Sequence, residues 1–504
     1  MKKIIFIITA ALLVTSCSNN DLGVTPFIHE TNTVVTPSGP TNYTSGIASF
    51  ANFVSVGNSL TAGYSDGALF ITGQENSFPN ILAQQFSLAD GGAFTQPLMN
   101  DNLGGLLLGG NQITSNRLFL SFASGDPAPT PVSGSPTTEV SDAHPGPYNN
   151  MGVPGAKSFH LGAPGYGNVA GVAIGAANPF YARMASSPNA AVIQDAVSQN
   201  PTFFSLWIGN NDILSYAISG GSGVDQNGNF NPATYGSEDI TDPNVFASVY
   251  NGLLQALTAN GADGIVTNLP RITTIPYFTT VPYNAIPLDA ATASTLNAAF
   301  AAYNGGLQFV ANNTPYLTQA EANRRMVHFI AGHNPVLILD EDLTDLTGIN
   351  PALTNMRQAT SDDLLVLTSR TFLGTTVGGN PQLINGVSVP LADKWVLTPK
   401  EQAAIENARL AFNQTIQGLA SQYGLAFFDA DALMQQMLAS GITENGITTT
   451  AVYATGGGFS LDGVHPSPRG YAIIANAMID AINQQYQSNM PHVNIGIYTG
   501  VYLN

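Results

Sequence analysis

The sequence predicts an α/β fold with a central parallel sheet and large loop insertions, and two observations point to it. Short apolar segments that stop at Gly or Pro alternate with longer segments of helical periodicity, as in strands joined by helices. Only 9% of the 504 residues are charged, whereas 51 are Gly and 31 are Pro, so much of the chain must be loop and turn. With 44% hydrophobic residues and no visible repeat, the length fits either one core with insertions or two domains.

The N-terminus has the layout of a secretory signal. Lys2 and Lys3 precede an apolar stretch at residues 4–14 that is too short to span a bilayer. The tetrapeptide Val-Thr-Ser-Cys at 14–17 resembles a bacterial lipobox, which implies that Cys17 is lipidated and becomes the first residue of the mature protein. An ordinary signal peptide with a chance Cys is the alternative. Because Cys17 is the one cysteine, lipidation would leave neither a free thiol nor a disulfide.

The residue after Cys17 is not Asp, so the sequence gives no reason for retention at the inner membrane. We therefore expect the outer membrane or the cell surface, and the periplasmic side stays open. Residues 18–45 are mostly Thr, Pro, Asn, Ser and Gly, which is typical of a flexible tether. The predicted parts are a signal peptide at 1–16, a tether at 17–46, a folded body at 47–487 and a C-terminal tail at 488–504.

Strands and helices can be predicted along the body. The long helix at 399–423 opens with Thr398 and Glu401 at capping-box spacing, with Pro399 in its first position. The other segments follow from apolar runs and from 3.6-residue periodicity. The predicted strands are residues 52–57, 202–208, 264–269 and 425–429, and the predicted helices are residues 246–259, 399–423 and 468–482.

Three stretches do not follow the alternation of strands and helices and are longer than ordinary connections. We therefore predict insertions near residues 70–148, 215–242 and 272–397. The first is rich in Gly and Leu, and both a mobile apolar lid and a plain buried loop fit it. The third contains Trp395 and helical patches at 290–309, for which a separate subdomain is one interpretation.

The charge of the chain excludes nucleic acid as a partner. The net charge is −18 and Lys plus Arg number only 14, whereas phosphate binding needs basic residues. The carboxylates are scattered, as on a solvated exported surface. We expect a monomer that meets the membrane only through its lipid anchor.

A serine near the start of the body and an Asp–His pair near its end can together build a hydrolase site. Ser59 follows the first predicted strand, and Asp462 and His465 lie three residues apart. An imidazole beside a serine hydroxyl takes its proton as the serine attacks an ester carbonyl. A carboxylate behind the imidazole holds its tautomer and stabilises the imidazolium.

Two further segments can donate hydrogen bonds. Residues 148–156 form a Gly-punctuated turn with free backbone N–H groups, and Asn211 follows the predicted strand at 202–208. An acyl transfer needs such donors aimed at the oxygen that gains charge.

In chain order these four segments resemble the SGNH, or GDSL-type, serine hydrolases. The resemblance covers residues 53–465 and implies a flavodoxin-like three-layer α/β/α fold. Asn58 stands where that family usually has Asp, but this position is not part of the triad. The matching blocks are Gly57-Asn58-Ser59-Leu60, Asn150 through Gly155, Gly209-Asn210-Asn211-Asp212 and Asp462-Gly463-Val464-His465.

The resemblance also assigns site residues. It implies that Ser59 attacks the acyl carbon, that His465 acts as base and then as acid, and that Asp462 orients His465. The backbone N–H groups of Ser59 and Gly155 and the side chain of Asn211 would form the oxyanion hole. The loss of one such donor costs about 10²- to 10³-fold in turnover.

The elbow-type α/β-hydrolases are an alternative with the same order of Ser, Asp and His. Their nucleophile requires Gly-x-Ser-x-Gly, whereas Thr61 occupies the last position here. Their acid is usually distant from the His in sequence, whereas Asp462 and His465 are neighbours.

No metal and no cofactor are expected. The acidic turn at 340–345 lacks a Gly-turned ligand loop, and Phe230 stands where a calcium loop beginning at Asp225 would need Gly. The histidines lack a spacing such as H-E-x-x-H. The residues weighed as ligands are Asp340, Glu341, Asp342, Asp345, Asp225, Asn227, Asn229, His144, His160, His328 and His333.

The sequence therefore predicts an exported serine esterase or lipase that hydrolyses carboxylic esters through an acyl-enzyme. The apolar region at 70–110 favours lipid or other acyl esters as substrates. A carbohydrate acetyl esterase that acts on polysaccharide is the close alternative. A surface glycan-binding lipoprotein with a catalytically dead core is another, although the joint presence of Ser59, Asp462 and His465 argues against it.

Overall fold

The structure is a computed structural model that describes residues 42–123 and 127–503. The predicted signal peptide, Cys17 and most of the predicted tether lie outside the described residues. All the described residues belong to one compact unit.

Five parallel strands form a central sheet. Their order across the sheet, written by residue range, is 426–428, 263–267, 203–207, 53–57 and 150–152, and every neighbouring pair is parallel. Every residue of the two strands at 53–57 and 203–207 is buried. Burial on both faces explains why continuous, largely apolar runs mark these strands in the sequence. The strands are β1 (Phe53–Gly57), β2 (Asn150–Gly152), β3 (Phe203–Trp207), β4 (Asp263–Thr267) and β5 (Ala426–Phe428).

Helices flank this sheet, which confirms the predicted α/β class. The main helices are α1 (Ser59–Ala62), α2 (Ile71–Glu75), α3 (Phe78–Phe86), α4 (Val192–Val197), α5 (Asn211–Ile218), α6 (Pro243–Thr258), α7 (Ala290–Asn313), α8 (Gln319–Arg325), α9 (Pro399–Tyr423), α10 (Ala430–Ala439) and α11 (Pro468–Tyr486). Helix α11 packs against α3 and β5, and α9 packs against α5 and α6. Single helical turns also occur at Val169–Val172, Pro179–Ala182 and Pro276–Thr279.

Local capping sets the helix boundaries. Helix α9 has the predicted bounds, because the Thr398 backbone N–H and hydroxyl both donate to Glu401 Oε2, at 2.6 and 2.8 Å. Helix α6 begins three residues before its predicted start, because Asp242 accepts hydrogen bonds from two backbone N–H groups of its first turn.

The strand β2 was not expected, since the sequence predicted only a turn at 148–156. Residues Asn150–Gly152 pair with β1 and form one edge of the sheet. The Asn-Met-Gly sequence has low strand propensity, so tertiary packing decides its conformation. A Cβ at Gly152 would lie 2.2 Å from the Ala62 backbone nitrogen, so only glycine allows α1 to approach this strand.

The first predicted insertion, near 70–148, starts later in the structure. Helices α2 and α3 occupy its beginning, and Phe78, Ile81 and Leu82 of α3 are fully buried in the main core. After residue 86 the chain forms short paired segments instead of regular layers. These are Leu106–Leu108 with Asn111–Gln112 and Thr138–Glu139, and Leu118–Ser121 with Ala128–Pro131.

The other two insertions differ in character. Residues 219–242 form an irregular loop after α5, closed by an isolated bridge between Asp225 and Ile240. Residues 281–396 contain a second hydrophobic cluster with α7 and α8, and Trp395 packs against both this cluster and the main core. The short strands here are Ile286–Leu288, Gly332–Asn334, Leu337–Leu339, Met356–Gln358, Leu364–Leu365, Thr376–Val377, Asn380–Ile384 and Val396–Leu397.

The segment predicted as a C-terminal tail packs onto the body. Met490, Val493, Ile495 and Tyr498 are buried in the main core. The Tyr502 carbonyl accepts a hydrogen bond from the Leu120 N–H at 2.9 Å. The segment also contacts a hairpin formed by Ile442–Glu444 and Ile447–Thr449. The Ile495 N–H donates a hydrogen bond to the side chain of Asn445, which lies in the turn of this hairpin.

Candidate active site

Ser59 lies at the first position of α1, directly beyond the carboxyl end of β1. The Asn58 side chain caps this helix by accepting a hydrogen bond from the Leu60 N–H at 3.0 Å. Its amide nitrogen also donates to the Asn210 side-chain oxygen at 3.1 Å. An ionised Asp has no proton to donate and could not make this second bond. Asn58, which stands where SGNH hydrolases usually have Asp, thus links the loops after β1 and β3.

The structure places Ser59, His465 and Asp462 in one hydrogen-bonded row. The Ser59 Oγ lies 2.8 Å from His465 Nε2, and His465 Nδ1 lies 2.9 Å from Asp462 Oδ2. With the Nδ1 proton directed to the carboxylate, the serine hydroxyl donates to Nε2. This is the geometry that a serine nucleophile and its general base require.

The Asp462 carboxylate is held ionised. Burial alone would raise its pKa, but the charge of His465 and hydrogen bonds from the His465 ring and from the Val464 and His465 N–H groups lower it to about 2. The Val464 and His465 N–H groups both donate to Asp462 Oδ1, each at 2.8 Å. A carboxylate that stays charged down to this pH can stabilise an imidazolium at any ordinary pH.

A turn at residues 64–67, which we call the Asp66 turn, holds the Asp462 loop in place. The Gly67 N–H donates to Asp462 Oδ2 at 2.9 Å, and the Leu461 N–H donates to Asp66 Oδ1 at 2.8 Å. The Asp66 N–H donates to Ser460 Oγ at 2.9 Å. Because this turn directly follows α1, it fixes the position of the acid relative to the helix that carries the serine.

The Asp66 carboxyl is itself buried, with 1% of its surface exposed. Burial raises its pKa to about 7; the Leu461 N–H opposes this rise and the nearby Asp462 charge adds to it. Asp66 was not among the residues predicted from the sequence, although an Asp-Gly pair soon after the serine is a visible turn signal.

The predicted oxyanion-hole residues lie on two loops that are bonded to each other. Asn211 is the first residue of α5, and its amide nitrogen donates to the Ala156 carbonyl at 2.9 Å. The next residue, Asp212, accepts from the Ser158 N–H and hydroxyl at 2.8 and 2.7 Å. The Asn211 amide carries a second N–H, which the bond to Ala156 leaves unused.

The two backbone donors differ in their surroundings. Ser59 occupies a helix position whose N–H has no partner within the helix. Gly155 is exposed on the loop after β2, next to Ala156 and hence beside Asn211. The structure thus brings Ser59, Asn211 and His465 around one pocket, whereas Gly155 is not among the residues that line it.

That pocket is a mostly apolar cavity of about 100 Å³ next to the serine. Its walls come from β3, α5, β5, α10, α11 and the loop that carries His465. None of the described lining residues comes from the apolar region at 70–110 that the sequence analysis associated with the substrate. Among the lining residues are Trp207, Leu214, Phe428, Met434, Met437 and Ile474.

The histidines that the sequence analysis set aside lie apart from this pocket. His328 and His333 are exposed in the third insertion, and His144 is exposed and lies 3.6 Å from Asp142. His160 stacks on Tyr166 with ring centroids 4.5 Å apart, and burial together with the Lys157 charge lowers its pKa to about 4.

The calcium-loop candidates and the acidic turn also have structural partners. Asp225 Oδ1 accepts from the Asn227 N–H at 3.1 Å, and Asn229 Oδ1 accepts from the Asn231 N–H at 3.1 Å. In the acidic turn, Asp340 pairs with Arg357 at 2.6 Å and Asp342 pairs with Lys400. Asp345 accepts from Thr347 at 2.6 and 2.9 Å. The remaining member, Glu341, lies near two other carboxyl groups, Asp393 and Glu401.

Comparison with known proteins assigns a class to the N-terminus. Residues 1–18 match the model of a prokaryotic membrane lipoprotein lipid attachment site, and the match includes Cys17. The protein is therefore an exported, membrane-anchored lipoprotein. No curated protein matches the chain. Among the described residues, no helix is long and apolar enough to cross a membrane.

Proposed function

We propose that this lipoprotein is a serine hydrolase that cleaves carboxylic esters. The row from Ser59 through His465 to Asp462, with separations of 2.8 and 2.9 Å, carries the proposal. Two distant parts of the chain cooperate in it, since Ser59 and His465 are 406 residues apart, whereas Asp462 and His465 share one loop. An intact row of this kind favours an enzyme over a catalytically dead binding protein.

The proposed reaction has two halves. In the first, Ser59 Oγ attacks the acyl carbon and its proton moves to His465 Nε2. The C–O bond to the leaving alcohol then breaks, and His465 returns the proton to that alcohol. In the second half, water attacks the acyl-enzyme, His465 takes one proton from the water, and the carboxylic acid leaves as Ser59 is reprotonated.

Charge that develops on the carbonyl oxygen needs donors in place before the reaction. The N–H of Ser59, the second N–H of the Asn211 amide and the N–H of Gly155 are the proposed donors. The bonds from Asn211 to Ala156 and from Ser158 to Asp212 hold the two loops together, so these donors need not reorganise.

We further propose that the site has the SGNH arrangement. In support, Ser59, Gly155 and Asn211 follow the carboxyl ends of β1, β2 and β3, which are adjacent in the sheet. Ligand sites of open parallel sheets lie at this edge. The acid and the base also share one short loop, which the elbow-type α/β-hydrolases do not usually show.

The apolar pocket favours an ester with an acyl chain longer than acetyl over an acetylated polysaccharide. A dry apolar cavity of roughly 150 Å³ holds six carbons in the form of benzene, so about 100 Å³ corresponds to roughly four. An acetyl group would leave most of this space empty. We propose a short acyl chain of about four carbons, with the alcohol part of the ester towards solvent.

The hydrolase itself is tested with a fluorophosphonate probe. The full-length lipoprotein in detergent is expected to form a 1:1 adduct, and peptide mass spectrometry should locate the adduct on Ser59. The probe mimics the tetrahedral intermediate, so it reacts only with a serine that a base activates. An unlabelled but folded protein, or an adduct on another residue, would contradict the proposal.

The acyl pocket is tested with a chain-length series of p-nitrophenyl esters. We expect kcat/KM to rise from acetate to butyrate by about 10-fold or more and to fall again at long chains, because each buried methylene contributes. Met437→Trp should fill the pocket and shift the preference back to acetate, whereas the volume-conserving Met437→Leu should keep it. A wild type that prefers acetate would reject the pocket but leave the hydrolase proposal standing.

A further inference from the structure

Outside the active site, three carboxyl groups that are distant in sequence meet at one point. Glu341 comes from the acidic turn, Asp393 from a short helical turn at Asp393–Trp395, and Glu401 from the first turn of α9. One carboxylate oxygen from each lies within 4.8 Å of the others. We call this group the Glu401 cluster.

Glu401 is the buried member, with 4% of its surface exposed. Its Oε2 accepts both hydrogen bonds from Thr398 and so completes the cap of α9. Its Oε1 is buried and receives no hydrogen bond from an N–H or hydroxyl group of the described residues. The neighbours of this oxygen are other carboxyl groups, which can bond to it only when a proton is shared.

No basic side chain compensates the cluster. Among the described residues, none of the three acids forms an ion pair, and the nearby Lys400 is engaged by Asp342. The Lys394 Nζ lies 5.1 Å from the Trp395 ring centroid instead. Burial, with the Glu341 charge, raises the pKa of Asp393 to about 6, and burial likewise raises the pKa of Glu401.

The backbone around the cluster is also packed closely. A Cβ at Gly221 would lie 2.2 Å from Glu401 Oε1, so glycine is needed where the chain leaves α5 and passes this carboxylate. The cluster therefore joins the third insertion and α9 to the end of the helix that begins with Asn211. An orphaned buried oxygen at such a junction calls for a positively charged partner.

We propose that the Glu401 cluster binds a divalent cation of the calcium type. Oxygen ligands lie about 2.3–2.6 Å from Ca²⁺, so ligands on one ion can be up to about 5 Å apart, which the spacing of the three oxygens satisfies. Ca²⁺ accepts irregular all-oxygen sites completed by water, whereas Zn²⁺ favours nitrogen and sulfur ligands. Glu341 is exposed, which leaves an entry path for the ion and for water ligands.

The exported location suits a weak site. Extracellular calcium modules bind with Kd values of about 10⁻⁴–10⁻³ M, and three carboxylates with one exposed member fit that range. The ion would stabilise the junction between the insertion and α5. It takes no part in the chemistry at Ser59, so this proposal does not depend on the proposed function.

The test uses the full-length lipoprotein in detergent after treatment with a chelator. Calcium titration by calorimetry should give a Kd of about 10⁻⁴–10⁻³ M, and Tm should rise as calcium is added. Terbium should bind in place of calcium and luminesce on excitation of Trp395, which is two residues from Asp393. Trp395→Phe should remove this luminescence without removing the calorimetric signal.

Glu401→Gln is the decisive variant, because its amide oxygen can still cap Thr398 while its NH₂ group donates into the cluster. It should fold with an unchanged or higher Tm in the absence of metal and should lose calcium binding at least about 10-fold. Asp342→Asn is the matched control, since it removes an equal charge from the acidic turn that carries Glu341, and it should bind calcium like the wild type.

Shared protons are the competing explanation. In that case Tm would fall as the pH rises through the folded-state pKa values of about 6 for Asp393 and about 8 for Glu401, because below these values the native state holds protons that the unfolded chain has released. Calcium would change neither Tm nor the heat signal, and that result would overturn the proposal. An equal response to Mg²⁺ would overturn the assignment to calcium.

Discussion

Ser59→Ala is expected to lower kcat on p-nitrophenyl butyrate by about 10⁴- to 10⁶-fold and to abolish fluorophosphonate labelling. The variant removes the hydroxyl that lies 2.8 Å from His465 Nε2, so no acyl-enzyme can form. Residual hydrolysis would come from water bound beside the imidazole and the oxyanion donors. The measurement is steady-state kinetics with an intact-mass check for the adduct.

Controls make this result specific. Ser187 is exposed away from the pocket lining, so Ser187→Ala should retain wild-type kinetics. The Tm of Ser59→Ala should stay close to that of the wild type, because only one oxygen is removed. Retention of more than about a tenth of the activity would place the nucleophile elsewhere.

Asp462→Asn is expected to lower kcat by about 10⁴-fold with little change in KM. The asparagine amide would donate to His465 Nδ1, so the ring proton would move to Nε2. A protonated Nε2 cannot accept the proton of the serine hydroxyl. The Asn oxygen can still accept the Val464 and His465 N–H bonds, whereas its NH₂ group cannot accept the Gly67 N–H bond, so the loop should keep its shape with a modestly lower Tm. The kinetic loss should therefore occur without a matching loss of fold.

The same variant gives a test by pH. The folded-state pKa of Asp462 is lowered from 3.8 to about 2, so the ionised group contributes stability that is present above about pH 4 and is lost as the pH falls through about 2. The Tm difference between wild type and Asp462→Asn should shrink over this range. A difference that grows with acidity would contradict the hydrogen-bonded row.

Local signals in the sequence were sufficient for much of the sheet. The apolar runs at 52–57, 202–208, 264–269 and 425–429 all overlap strands of the sheet, because burial on both faces favours continuous apolar residues. The α9 boundaries followed from Thr398 and Glu401, since capping depends on residues a few positions apart. By contrast, β2 depends on pairing with β1 and on the approach of α1, which no local propensity records.

The apolar pocket beside Ser59 depends on contacts that local sequence patterns do not predict. The apolar region at 70–110 was expected to bear on the substrate because of its composition alone. The structure builds the pocket from other segments, including Trp207, Phe428 and Met437, which are adjacent only after folding. The α3 residues within the predicted first insertion lie in the main core instead.

The sequence by itself determined the α/β class, the lipoprotein N-terminus and the residues proposed for catalysis, because each depends on short motifs or on periodicity. Only the tertiary structure decided which distant groups meet. It brought Asp66 behind Asp462, enclosed an apolar space beside Ser59 and gathered the Glu401 cluster from three segments. Such tertiary contacts depend on burial and packing between elements far apart in the chain, and local sequence patterns do not predict them.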